Sequence, residues 1–395
     1  MTMQKQFYSI GLGLALLAGL AVQGSPLKKE EISGDAKWLV HLDVTAFLHS
    51  EVGSYVYSEM LSNHLAQATA GLKAGFGVDL DWNKVSAISI YGTKFKDKGG
   101  KQNKEDDLEG VLLIRADLSV EKLIEDAIRA MKAKMQEGQP SPIQKVEGSK
   151  YPLYRMQDEV YFGCPGKNLL LVTKSKQALD TANVVFKDKK ESLASKGSLG
   201  TYVQGQEGII LVAVAEGFAQ DIDMPPQAKM LQSAEGGRIS LGEKDEKLQL
   251  KVSLKAKTQE EANQMQQIVQ GLVALASMSQ AENKQLAELV NAVRVTADER
   301  LVTLGLDYAS KKAIQQIKEN ITAMGVKRTA EVKAGEDNGQ VDQGDEKPAA
   351  KKPKKKKKKK TDEEKASDEK AEVKASDEAA KADKSPAKEK SADKQ

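Results

Sequence analysis

The chain has one cysteine, Cys164, in 395 residues. A lone thiol excludes an intramolecular disulfide framework and any multi-thiolate metal site. Cys164 sits in YFGCPGK, between two expected strands, and reads as a turn-adjacent, partly buried thiol. Histidine is nearly as scarce. His41 belongs to a strand, whereas His49 and His64 fall fifteen residues apart in one apolar-striped segment. On a continuous helix that spacing is about 22 Å, too far to share a metal. Aromatic residues make up 5% of the chain and stop at Tyr308. No GxGxxG, GxxxxGK[ST], GxSxG or HExxH pattern occurs, so neither a phosphate-cradling loop nor a familiar hydrolytic centre is encoded. The glycines in GKNLLL, GSLG and SAEGGR read as turn glycines.

Long apolar runs are missing too. The only one is Ile10–Val22, about 13 residues after Lys5, with small residues following at Gly24 and Ser25. It is shorter than the roughly 20 residues needed to span a bilayer and fits the apolar region of a cleavable export signal. Val22 and Gly24 suit the −3 and −1 positions, so a leader of residues 1–24 is expected, with a cut after Ala21 as the alternative. No cysteine follows the cut to carry a lipid. The sequence therefore predicts an exported protein, periplasmic or extracellular.

Charge of one sign is also lacking. Sixty Lys and Arg against 57 Asp and Glu leave +3 overall, which says nothing about partners.

Apolar periodicity runs from about residue 35 to 325. WLVHLDV (38–44) reads as a strand, and Thr45 opens an amphipathic helix through Leu61. Strands are expected at 85–91, 110–117, 151–156, 160–163 and 169–173 (LLLVT), with helices after the third and the last. Ser175 is placed to cap the closing helix. The second stretch repeats this order. GIILVAVA (208–215), 238–241 and KLQLKVSLKA (247–256) read as strands, the last alternating as a half-buried strand does. Thr258 with Glu261 forms a capping box before a helix. A hairpin over 292–308 turns at Asp298-Glu299-Arg300, and Ser310 starts the last helix.

Aligned, WLVHLDVTAF matches ILVAVAEGF, and NLLLVTKSKQALDTA matches LVTLGLDYASKKAIQQI. The expected fold is α+β: two tandem β-α-β-β-α-β units, at 35–192 and 200–325, with mixed or antiparallel sheets and helices on one face. This order resembles a ferredoxin-like unit, a topological likeness that specifies no chemistry. Asp43 and Asp117 each close a strand before a helix, where a carboxylate satisfies free N–H groups; that role is expected over paired-acid catalysis.

From residue 326 the periodicity vanishes. Residues 336–395 carry about 18 lysines and 16 acidic groups, a composition that cannot offset chain entropy and predicts disorder. Within it lie Lys351, Lys352, Lys354, Lys355, Lys356, Lys357, Lys358, Lys359 and Lys360. Such a block attracts polyanions by counterion release, and without interleaved aromatics the contact is weak and sequence-independent. AAKKPKKKKKKK is similar to the Lys/Ala/Pro tails of linker histones and to a nuclear localisation signal, at odds with the leader.

Leader, strand–helix units such as WLVHLDVTAFLHSEVG and charged tail together resemble exported bacterial proteins with repeated strand–helix units and a lysine-rich tail. That resemblance implies no activity and no site residues. The sequence is thus read as non-enzymatic and free of cofactors and metals, a structural or binding module. The alternative is a polyanion-binding protein acting through Lys351–Lys360, its ligand a phospholipid, lipopolysaccharide, acidic wall polymer or nucleic acid.

Overall fold

The computed structural model describes residues 24–95, 110–136, 141–156, 160–205, 208–218, 226–279 and 284–323. All fall in one compact unit that ends at Thr329. The expected leader as far as Gln23 and the lysine-rich tail lie outside the described residues. None of the described helices is long and apolar enough to cross a membrane.

The first stretch supplies β1 (Trp38–Asp43), β2 (Val85–Gly92), β3 (Gly110–Ala116), β4 (Ile143–Lys145), β5 (Leu153–Met156), β6 (Val160–Gly166) and β7 (Leu169–Thr173). The second supplies β8 (Ile209–Glu216), β9 (Gly236–Lys244), β10 (Lys247–Lys255), β11 (Val293–Asp298) and β12 (Leu301–Ala309). All twelve join one sheet, in the order β11-β12-β10-β9-β8-β1-β2-β3-β7-β6-β5-β4, with every pairing antiparallel. The two stretches meet where β1 pairs with β8, Trp38 opposite Ala215 and Leu42 opposite Leu211.

The ferredoxin-like order does not appear. A split β-α-β would set β1 parallel to the strand after its helix, with a third strand between them. Here β1 and β2 are antiparallel neighbours, because the helical excursion between them returns the chain to the edge it left.

That excursion was expected as one helix from Thr45 to Leu61. Instead α1 (Val44–His49) stops at Ser50, whose hydroxyl accepts the Gly53 N–H at 2.9 Å and opens α2 (Glu51–Val56). A π turn over Tyr57–Leu61 leads into α3 (Ser62–Phe76), which ends at Gly77 with φ +69°. The remaining helices are α4 (Val120–Lys134), α5 (Lys176–Lys187), α6 (Gln259–Ser279), α7 (Lys284–Ala292) and α8 (Ser310–Ala323).

Strand register separates the two faces of the sheet. On the first face lie Leu39, His41 and Asp43 of β1, Ala87, Ser89 and Tyr91 of β2, Leu113 and Arg115 of β3, Leu169 and Leu171 of β7, and Val212 and Val214 of β8. Leu179 and Ala182 of α5 pack there with Leu27, Ile32, Leu193, Leu199 and Val203. On the second face, α4 sets Val120 and Ile124 against Leu170, Phe162, Tyr154 and Cys164, while α6 sets Ala262 and Met265 against Leu254, Val302 and Val295. Helices therefore cover both faces, not one. The physical reason is β7: LLLVT presents leucine to both sides, and each side needs a cover.

Candidate functional site

The two halves of the sheet differ in what covers them. Around β1, β2, β3 and β7 both faces are packed. Around β9 to β12 the described α-helices lie on the second face, and on the first only Tyr202 to Gly205 lie against one end of β9 among the described residues. Strand alternation states the same thing: in β11, Arg294, Thr296 and Asp298 are exposed while Val293, Val295 and Ala297 are half-buried. The first face here is built from Arg238, Ser240, Gly242 and Lys244 of β9 and Lys247, Gln249, Lys251, Ser253 and Lys255 of β10. Thr303, Gly305 and Asp307 of β12 and the three exposed residues of β11 complete it. Six cations share these strands' first face with two carboxylates, Asp298 and Asp307, and one of the six, Lys255, pairs with Glu235 at 3.4 Å.

The concave part of this face holds a depression of about 230 Å³, lined by Gly205, Gly208, Ile209, Arg238, Ser240, Gly242, Lys244, Gln249, Lys251 and Ser253. Three of these are cationic and none is acidic. Arg238 is the anchor. Its Nη1 donates to the Gln204 carbonyl at 2.6 Å and Nη2 to Gly205 at 3.4 Å, while Nε is buried with no partner among the described residues. Burial lowers its pKa. A guanidinium held by carbonyl dipoles, with no carboxylate paired to it among the described residues, is an incompletely compensated charge. The Ser253 and Thr303 hydroxyls are hydrogen-bonded at 3.0 Å, and Gly242, with no side chain, opens the floor beside Gly208. Such a surface suits oxyanions: three cationic side chains, hydroxyls and accessible backbone, with no acid among the described lining residues.

A larger depression of about 400 Å³ lies between β4, β5 and α5 and is lined by charges of both signs, Lys145, Arg155 and Lys176 with Glu147 and Asp180. There Lys176 pairs with Asp180 at 3.2 Å, and Arg155 donates to Gln144.

The residues singled out in the sequence are dispersed. His41 is buried, its Nε2–H donating to the Ser25 carbonyl at 3.2 Å while Nδ1 accepts from the Ser89 hydroxyl at 2.8 Å. The space beside this His–Ser pair is about 10 Å³, at the lower limit for one water. Burial depresses the His41 pKa, opposed by Asp43. His49 is exposed and donates to the Thr45 carbonyl, and His64 is exposed on α3. Among the described residues no group of three His, Cys, Asp or Glu is placed to hold a metal.

Asp43 caps α1, accepting the Ala46 N–H at 2.8 Å, as its position before the helix suggested. At α4 the cap is Ser119, and Asp117 is exposed. The two acids are not brought together. Cys164 lies inside β6, buried against α4, with its thiol pushed up to about 12 by burial and by Glu121 and Glu125. Lys351–Lys360 fall outside the described residues. The Arg238–Lys251 surface went unnoticed in the sequence. Its signal was the row of Lys, Gln, Lys, Ser and Lys at alternate positions of KLQLKVSLK.

No protein-family model matches the chain, and comparison with curated proteins finds no match. Among solved structures it is similar to crystal form III of TP0453, at 10% identity and a TM-score of 0.37, covering 75% of this chain and 99% of that one. Crystal form I of TP0453 aligns at 8% identity and a TM-score of 0.32, covering 75% and 98%.

Proposed function

We propose that this chain is an exported, non-enzymatic binding protein, periplasmic or extracellular, that takes an anionic polymer on the uncovered first face of β9 to β12. One observation carries the reading: no described α-helix covers that face, and its strands hold six cations, one of them paired with Glu235, to two carboxylates. Lys351–Lys360 reinforce the contact as a second, diffuse cationic element. The architecture is a duplication. Outward from β1 the order is β1-β2-β3-β7-β6, extended by β5-β4, and outward from β8 it is β8-β9-β10-β12-β11, with a helix following the third strand of each in the chain. On this reading one copy became the structural half, covered on both faces, and the other kept a face free for a partner.

Salt elution of the full chain from immobilised heparin separates the elements. Lys244→Glu with Lys251→Glu should lower the eluting salt, and deletion of 347–360 should lower it further. Unchanged elution of the double reversal, with loss of binding on the deletion, would assign the whole activity to the tail and reject the sheet face.

A further inference from the structure

Asp43 is the one buried carboxylate among the described residues, 4% exposed. Its Oδ1 is used by the Ala46 N–H, and among the described residues no ion pair reaches it. Arg115, two strands away on the same face, is taken by Glu31. Oδ2 points at Gly24: a Cβ built there would lie 2.3 Å from that oxygen. Only glycine fits this approach. The next residues are held independently. The Ser25 carbonyl accepts from His41, Leu27 is buried in the core, and Ile32 is fully buried. So the chain just after the expected cut is docked as part of the fold, beside a buried carboxylate with no counter-ion among the described residues.

We propose that cleavage between Gly24 and Ser25 completes this site: the ammonium freed on Ser25 becomes the counter-ion of Asp43. The proposal rests on the export reading and says where the cut must fall. Hydrolysis by the peptidase of the export machinery adds one water across the amide. The C–N bond breaks, the hydroxyl goes to the Gly24 carbonyl carbon, and the Ser25 nitrogen takes the water's other proton and then the proton of the resulting acid. A carboxylate leaves with the leader, and an ammonium stays with the protein. A cut after Ala21 would instead place the ammonium three residues, up to about 10 Å of extended chain, away and leave Asp43 unpaired. Cleavage at Gly24 therefore stabilises the fold, and a mature amino terminus is the ligand of a site already built to hold it.

The test uses the full chain passed through an exporting host, with its amino terminus identified by intact mass. The expected terminus is Ser25. Mild periodate converts an amino-terminal serine to a glyoxylyl group, which deletes the ammonium. In the folded protein this oxidation should be at least tenfold slower than in the unfolded chain. Asp43→Asn keeps the oxygen that caps α1 and removes the charge. It should lower the folding equilibrium constant at least tenfold in the Ser25 chain and less than twofold once that chain is oxidised. A terminus other than Ser25 would overturn the cleavage reading itself. A Ser25 terminus oxidised equally fast folded and unfolded would leave cleavage standing and reject the pairing, even if Asp43→Asn failed to fold.

Discussion

The carboxylate of Glu243 closes the N-terminus of α2 from the other half of the chain. Its Oε1 accepts the Glu51 N–H at 2.9 Å, and Oε2 accepts the Val52 N–H at 3.1 Å. The first N–H groups of a helix have no partner within it, and a carboxylate there also meets the positive end of the helix dipole. The contact spans 192 residues and ties β9 to the excursion between β1 and β2. Glu243→Ala should therefore cost about 1–2 kcal/mol of stability, with Glu243→Gln intermediate. Urea denaturation followed by circular dichroism checks this. A midpoint unchanged in both variants would show that the two halves do not depend on this cap.

A second prediction concerns pH. His41 is buried with its pKa held below the ordinary 6.5 by desolvation, against the opposing effect of Asp43. The folded state thus binds fewer protons than the unfolded state, and stability rises with pH through this window. The contribution is full above about 6.5 and is lost as pH falls from there towards the depressed folded value. His41→Gln, which keeps a donor for Ser25, should flatten the slope between about pH 6.5 and pH 5. Parallel stability curves for the two proteins would contradict it.

The hairpin between β9 and β10 turns on Asp245 and Glu246, both left-handed at φ 52° and 56°. Left-handed backbone at both central positions is the type I′ geometry that favours Asn-Gly. Glu246→Gly should raise stability by about 1 kcal/mol, read as a higher urea midpoint, because the exposed pair between Glu246 and Lys311 is worth little. A lower midpoint would mean that pair matters more than the strain.

Cys164 should be inert in the native protein. Its thiol is buried beneath α4 and titrates near 12, so thiolate is scarce at neutral pH. Ellman's reagent should label it promptly in about 6 M guanidinium and far more slowly without denaturant. Equal rates would place α4 off the sheet.

Much of the fold was legible from period alone. WLVHLD and GVLLIRA are short apolar runs and KLQLKVSLK alternates, and each forms the strand expected of it. The caps at Ser175, and at Thr258 with Glu261, were legible for the same local reason: a short polar side chain precedes an apolar stripe. What escaped depended on distant residues. The break at Ser50 interrupts no apolar stripe and is decided by its hydroxyl and by Gly53, packed where a side chain would meet the Phe47 carbonyl. β4 is three residues beside a proline, too short to show a period. The candidate site escaped because alternation marks which residues share a face and not whether anything covers it. That depends on where α6, α7 and α8 fall.

The most direct test of the central claim is the salt dependence of heparin binding by the full chain, measured by titration between about 50 and 200 mM salt. If the first face of β9 to β12 is the binding surface, Lys244→Glu with Lys251→Glu should weaken binding at least tenfold at the lower salt. The slope of log affinity against log salt should also become shallower by about two contacts' worth. Identical affinity and slope in the variant and the parent chain would contradict the account.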